Sequence, residues 1–165
     1  MHKIFFILLI TFNLYSAEKL KVLIPLYSTP YLWFEQIEKI KSIYNKDITT
    51  YAIINPQNGP GEKVEQIYID GIKLLKEHNI HVIGYVYTLY GKRDSNIIKE
   101  DIYKWSSFYQ EFGLEGIFFD ETDNKVDSIE FYKDLTAYSK THDFNFNILN
   151  PGYTIANEYI EQNVA

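Results

Sequence analysis

"TTYAIINPQNGPGEKVEQIYIDGIKLLKEHNIHVIGYVYT", Thr49 to Thr88, holds two short apolar runs with a helical segment between them. "TTYAIINP" (Thr49–Pro56) and "HVIGYVYT" (His81–Thr88) are rich in β-branched and aromatic residues and read as strands. "EKVEQIYIDGIKLLKEHN" (Glu62–Asn79) carries Val64, Ile67, Ile72 and Leu75 near one helical face. Both strands are continuous apolar runs, which predicts burial on both faces. Strand, helix and strand at this spacing imply parallel pairing through a right-handed crossover.

The same unit recurs on either side. "KVLIPLY" (Lys21–Tyr27) precedes "WFEQIEKIKSIY" (Trp33–Tyr44), with Phe34, Ile37, Ile40 and Tyr44 in helical period. Beyond the third strand lie a helix from Ser95 to Phe112 with Ser95 as N-cap, a strand "GIFFDE" (Gly116–Glu121) and a helix from Asp127 to His142. Asp127 or Ser128 would cap that helix. "FNFNILNPG" (Phe144–Gly152) is a fifth strand, and "IANEYIEQN" begins a fifth helix. The α/β alternation fits an open doubly wound sheet or a (β/α)8 TIM-barrel type. The first strand-to-helix turn has no glycine-rich phosphate loop, which weakens the nucleotide-binding version.

A chain of 165 residues suits one domain with a real core. Its net charge of −6 argues against a nucleic-acid surface, which needs clustered Lys and Arg, and suits attraction to a cationic polymer. The 15 Tyr and 11 Phe fit a groove that stacks on sugars or bases, although an A/T-rich coding sequence is the simpler explanation. There is no Cys, so disulfides and thiolate catalysis are excluded. "MHKIFFILLITFNLYSAEK" opens with Lys3, an apolar stretch and small residues at Ser16-Ala17. Residues 1–17 therefore read as a signal peptide, leaving 18–165 as the domain, with no membrane span once the leader is removed and a secreted or periplasmic location. Tyr15 is a poor residue so near that bond, which leaves an uncleaved anchor open.

Polar residues gather at the C-terminal end of every strand, where parallel α/β folds build their sites: Tyr27, Asn55-Pro56, Tyr87-Thr88, Asp120-Glu121 and Asn150-Pro151-Gly152. Pro56 and Pro151 each hold the preceding Asn in an extended conformation, presenting Asn55 and Asn150 at strand tips. Tyr85 and Tyr87 share one face of the third strand, and their hydroxyls can bind sugar hydroxyls. Arg93, in the loop beyond, offers a cation that can hold a carboxylate ionised. Asp120 and Glu121 are the acidic candidates. Being adjacent on a strand, they reach one cleft only if the backbone bends after Asp120. A glycosidase needs such a pair, about 5–5.5 Å apart for retention or ~6.5–9.5 Å for inversion. No metal-ligand spacing and no G-x-S-x-G nucleophile motif occurs, so neither metal nor cofactor is expected.

The ordered set "IPLY" with Trp33 soon after, "IINPQNGPG", "GYVYTLYGKR", "DIYKW", "GIFFDE" and "ILNPG" resembles the spherulin-4 family of secreted glycoside hydrolases over about Val22 to Tyr159. The resemblance implies a (β/α)8 barrel and hydrolysis of partly deacetylated α-1,4-linked galactosamine polymers of biofilm matrix. It implies catalytic roles for Asp120 and Glu121, and substrate contacts for Tyr27, Asn55, Tyr85, Tyr87 and Asn150. Arg93 joins the substrate-binding candidates on its own chemistry.

The family pattern continues beyond Ala165 with another strand ending in an acidic residue. The expectation is therefore a barrel truncated after about five β/α units, with an open sheet edge that invites self-association. A catalytic carboxylate would then be missing. The alternative to a polysaccharide hydrolase is a non-catalytic or degenerate carbohydrate-binding barrel. A secreted structural protein without a ligand is a third.

Overall fold

The computed structural model describes residues 20–42 and 48–165. The leader expected at residues 1–17 lies outside them. Five parallel strands pair in sequence order: β1 (Leu20–Leu26), β2 (Ile48–Ile54), β3 (Ile80–Tyr87), β4 (Leu114–Asp120) and β5 (Phe146–Asn150). Helices α1 (Trp33–Ser42), α2 (Gln66–Glu77), α3 (Ser95–Tyr109) and α4 (Ile129–Thr141) fill the four crossovers, and a short α5 (Asn157–Glu161) follows β5. Among the described residues no helix is long and apolar enough to cross a membrane.

Sequential order rules out the doubly wound alternative, whose strand order reverses at a switch point. Curvature settles the rest. In a flat sheet β2 and β5 would lie three strand spacings, about 14 Å, apart. Tyr51 of β2 nevertheless stacks on Phe146 of β5 with ring centroids 4.1 Å apart. Lys21 of β1 reaches the same ring from the far edge, 5.9 Å from its centroid. The sheet is a curled half-barrel with helices on its convex side.

Strand parity sorts the core. Ala52, Ile54, Val82, Val86, Ile117 and Phe119 face the helices and pack with Trp33, Ile72, Leu75, Ile102, Trp105 and Leu135. The opposite parity fills the concave side with Ile53, Ile83, Tyr85 and Phe118, flanked by Tyr51, Tyr87, Phe146 and Ile148. Burying strands on both faces is why they read as unbroken apolar runs.

Two glycines permit this packing. A Cβ on Gly84 would stand 2.6 Å from the Trp105 ring, whose Nε1 donates to the Tyr85 carbonyl at 3.0 Å. A Cβ on Gly116 would run into the Phe146 carbonyl of β5. The N-cap of α3 is Asp94, not Ser95: its carboxylate accepts from the Asn96 backbone N–H at 2.8 Å. Ser128 stands at the N-cap of α4 but does not cap it with its side chain. Its hydroxyl donates to Asp123 Oδ2 at 2.8 Å.

Candidate functional site

Parity also builds the rim. On β4 the concave series runs Gly116, Phe118, Asp120, so the same alternation that buries Phe118 lifts Asp120 to the mouth. Register sets Tyr87 of β3 on one side of Asp120 and Asn150 of β5 on the other. Both Asp120 oxygens accept: Oδ2 from the Tyr85 hydroxyl and Oδ1 from Asn150 Nδ2, each at 2.8 Å. Bonds to a carboxylate are about twice as strong as neutral ones, so three strands are tied through one side chain.

Tyr85 is nearly buried. Burial foremost, then the bond to Asp120 and that residue's charge, push its hydroxyl far above the usual phenol range. It therefore keeps its proton and acts as a fixed donor. Tyr27, half exposed, sets its ring edge-on to Tyr85 with centroids 5.6 Å apart. Partial burial and the charge of Asp120 raise its hydroxyl as well.

The bend that the sequence demanded after Asp120 is present. Glu121 has φ of 50°, in the left-handed region that few non-glycine residues adopt. This takes it out of strand geometry beside Asp120. Its charge adds the weakest of the contributions that raise the Tyr85 hydroxyl.

Two candidates are engaged elsewhere. Asn55 turns its Oδ1 back onto its own loop, accepting from the Gly59 backbone N–H at 3.1 Å. The amide thus closes the loop of residues 55–59 on itself. Arg93 is nearly buried. It donates to the Tyr87 carbonyl at 3.0 Å and to Asp101 Oδ2 at 2.6 Å, and its guanidinium lies 4.1 Å over the Tyr87 ring. Burial pushes the Asp101 carboxyl upward, although Arg93 beside it works the other way. These two residues, Tyr87 and the loop of residues 57–62 enclose a polar cavity of about 240 Å³ next to the rim.

Asp101, Thr88 and Tyr132 belong to the rim's support; the sequence points to Thr88 only as one of the polar strand-end residues, and to Asp101 and Tyr132 not as site residues at all. Asp101 sits inside the "DIYKW" string, but nothing in the sequence says that it meets Arg93 across a loop. Thr88 is 0% exposed, and its hydroxyl lies between the backbone of Asp120-Glu121 and the Tyr132 hydroxyl. Among the described residues no group of His, Cys, Asp and Glu is placed to hold a metal ion.

A family model described as spherulation-specific family 4 matches residues 21–165. Spherulin-4 of Physarum polycephalum is 33% identical over 139 residues, covering 83% of this chain and 40% of that protein. The crystal structure of Aspergillus clavatus Sph3 in complex with GalNAc superimposes with a TM-score of 0.73 at 26% identity, covering 87% of this chain and 62% of that one. The chain thus spans less than two thirds of the length of either relative.

Proposed function

The chain belongs to the spherulation-specific family 4, and from that premise we propose that it is a secreted glycoside hydrolase acting on a galactosamine-containing polysaccharide of a biofilm matrix. The observation that carries this reading is Asp120 at the concave mouth, gripped by Tyr85 and Asn150, with Glu121 turned out of the strand beside it. A carboxylate held on both oxygens is fixed in place for use as base, nucleophile or stabiliser of an oxocarbenium-like transition state. Glu121 is left as the partner that delivers or takes a proton. Tyr27 supplies an exposed aromatic face at the rim, and the net charge of −6 attracts a polymer bearing free amines. The structural neighbour solved with GalNAc supports a sugar-sized groove in this fold.

The test is release of reducing ends from a partly deacetylated α-1,4-galactosamine polymer. Wild type is expected to release them, while Asp120→Asn and Glu121→Gln lose the activity and keep the fold. Undiminished release by both variants removes the pair from catalysis. A second reading, sugar binding without turnover, is favoured by the other strand tips in the described groove. They offer phenol and amide groups (Tyr27, Tyr87, Asn150) and no further acid. It predicts retention of the polymer in a pull-down with no new reducing ends.

A further inference from the structure

Glu121 holds a left-handed conformation that is unfavourable for a non-glycine residue, so something must hold it there. The loop after β3 is shaped to do so. Leu89, Tyr90 and Gly91 are all left-handed, with φ of 51°, 53° and 74°. This turn closes on Thr88, whose carbonyl accepts from Gly91 N–H at 3.1 Å and Arg93 N–H at 3.2 Å. It carries the Tyr90 N–H to the Glu121 carbonyl at 2.6 Å. Thr88 itself donates its N–H to the Asp120 carbonyl at 2.9 Å.

The Thr88 hydroxyl completes the grip, and donor counting fixes its direction. A carbonyl can only accept, and a hydroxyl has one proton. Thr88 Oγ1 lies 2.8 Å from the Glu121 carbonyl and 3.1 Å from that of Asp120, so its proton goes to them. The contact of 3.1 Å between Thr88 Oγ1 and Tyr132 Oη must then be donated by Tyr132. Tyr132 in turn accepts from the Asp123 N–H at 2.7 Å. The result is a one-way chain from the Asp123 amide through Tyr132 and Thr88 to the Glu121 carbonyl. Burial pushes the Tyr132 hydroxyl upward, so it retains the proton that this chain needs.

We infer that Thr88 is a positioning residue: its buried hydroxyl, oriented by Tyr132, locks the backbone bend that aims Asp120 and Glu121 into the groove. This rests on the hydrolase reading for its kinetic consequence but not for its structural one, and two measurements separate them. The first is kinetics on the galactosamine polymer. Thr88→Val keeps the side-chain shape and loses the hydroxyl, whereas Thr88→Ser keeps the hydroxyl. A misplacement of about 1 Å costs on the order of 10²-fold, so Thr88→Val should lose kcat by up to that factor with KM within about threefold, and Thr88→Ser should restore kcat. Equal kcat in both variants, whether high or low, overturns the proposal, and so does a change confined to KM.

The second measurement is amide hydrogen exchange at Tyr90 and Thr122, whose N–H groups donate to the carbonyls of Glu121 and Asn150. Both should exchange at least about tenfold faster in Thr88→Val than in wild type or Thr88→Ser. Unchanged protection overturns the proposal whatever the kinetics show. A wild type that releases no reducing ends defeats the hydrolase reading, and exchange alone then decides the role of Thr88. Should Thr88→Val not fold, Tyr132→Phe removes the donor that orients the hydroxyl. It should show the same loss of kcat and the same faster exchange, and wild-type values in both would overturn the proposal.

Discussion

Replacing Tyr85 by Phe tests the central bond of the site through its pH dependence. The ring is 7% exposed and packs within the concave cluster, so Phe keeps its packing and only the hydroxyl is lost. A hydrogen bond to a charged group contributes about 1.5–3 kcal/mol. Asp120 lies at the mouth, where water can replace the donor, so the net loss near neutrality is about 0.5–1.5 kcal/mol. The sign at high pH follows from the direction of the Tyr85 shift. Its value in the folded protein lies above the ordinary phenol value of 10.0. The stabilisation is therefore complete below that pH and is lost as pH rises, because the unfolded chain releases the phenol proton while the folded one keeps it. By pH 11 wild type should have lost about 1.4 kcal/mol that the Phe variant never had. Other tyrosines titrate in both proteins and cancel in the difference. Urea unfolding followed by emission of the buried Trp33 and Trp105 gives both stabilities between pH 7 and 11. Wild type should lead at neutrality, and the two curves should meet or cross by pH 11. Curves that stay parallel throughout would refute Tyr85 as the protonated donor to Asp120.

Gly84→Ala should lower the urea midpoint by the equivalent of about 1–3 kcal/mol, since its Cβ would stand 2.6 Å from the fully buried Trp105 ring. An unchanged midpoint would mean that the ring has room to move. Asp94→Ala removes the α3 cap and should cost about 0.5–2 kcal/mol in chemical denaturation, whereas Ser95→Ala should cost little. Arg93→Lys should cost about 1–3 kcal/mol despite keeping the charge, because a lysine cannot donate to the Tyr87 carbonyl and Asp101 while lying flat on the Tyr87 ring. A lysine variant of wild-type stability would show that position to need only a positive charge.

The fold was legible because its information is local and periodic. Apolar runs, helical faces and their alternation place all five strands within a few residues of where they lie. Parity then predicts which side chains share the concave face, and Tyr85, Tyr87 and Asp120 obey it. Parity fails where the backbone leaves strand geometry. Asn55 reads as a presented strand-tip amide, but its nearest unmet donor is the Gly59 N–H four residues on. Arg93 reads as a loop cation free for a ligand, yet Asp101 waits in the second turn of α3 to neutralise it. Ser95 yields the cap to the preceding residue because Asp94 precedes the first helical turn and has the stronger acceptor. The Thr88–Tyr132 contact spans 44 residues, and no spacing rule connects them. What the sequence hides is therefore the supporting hydrogen-bond network, which depends on how loops meet in space.

Those loops explain why the acidic pair can sit on apolar foundations at all. A charge directly above Phe118 and beside a nearly buried tyrosine would be costly if it faced inward unpartnered. One more strand residue supplies the rise to the mouth, and Tyr85 and Asn150 supply the donors. The apolar layer beneath then acts as a rigid floor, because Ile53, Ile83, Tyr85 and Phe118 pack across the curl of the sheet and leave the Asp120 backbone little freedom to tilt. Above that floor, rigidity has to come from hydrogen bonds, and the Thr88 hydroxyl, the Tyr90 amide and the Asn150 side chain each reach the Asp120-Glu121 segment from a neighbouring strand or loop. The division of labour makes a prediction about variants as a class. Substitutions in the floor should lower stability and carry activity down with it. Losses among the hydroxyl and amide groups above it should lower activity further than their effect on stability accounts for.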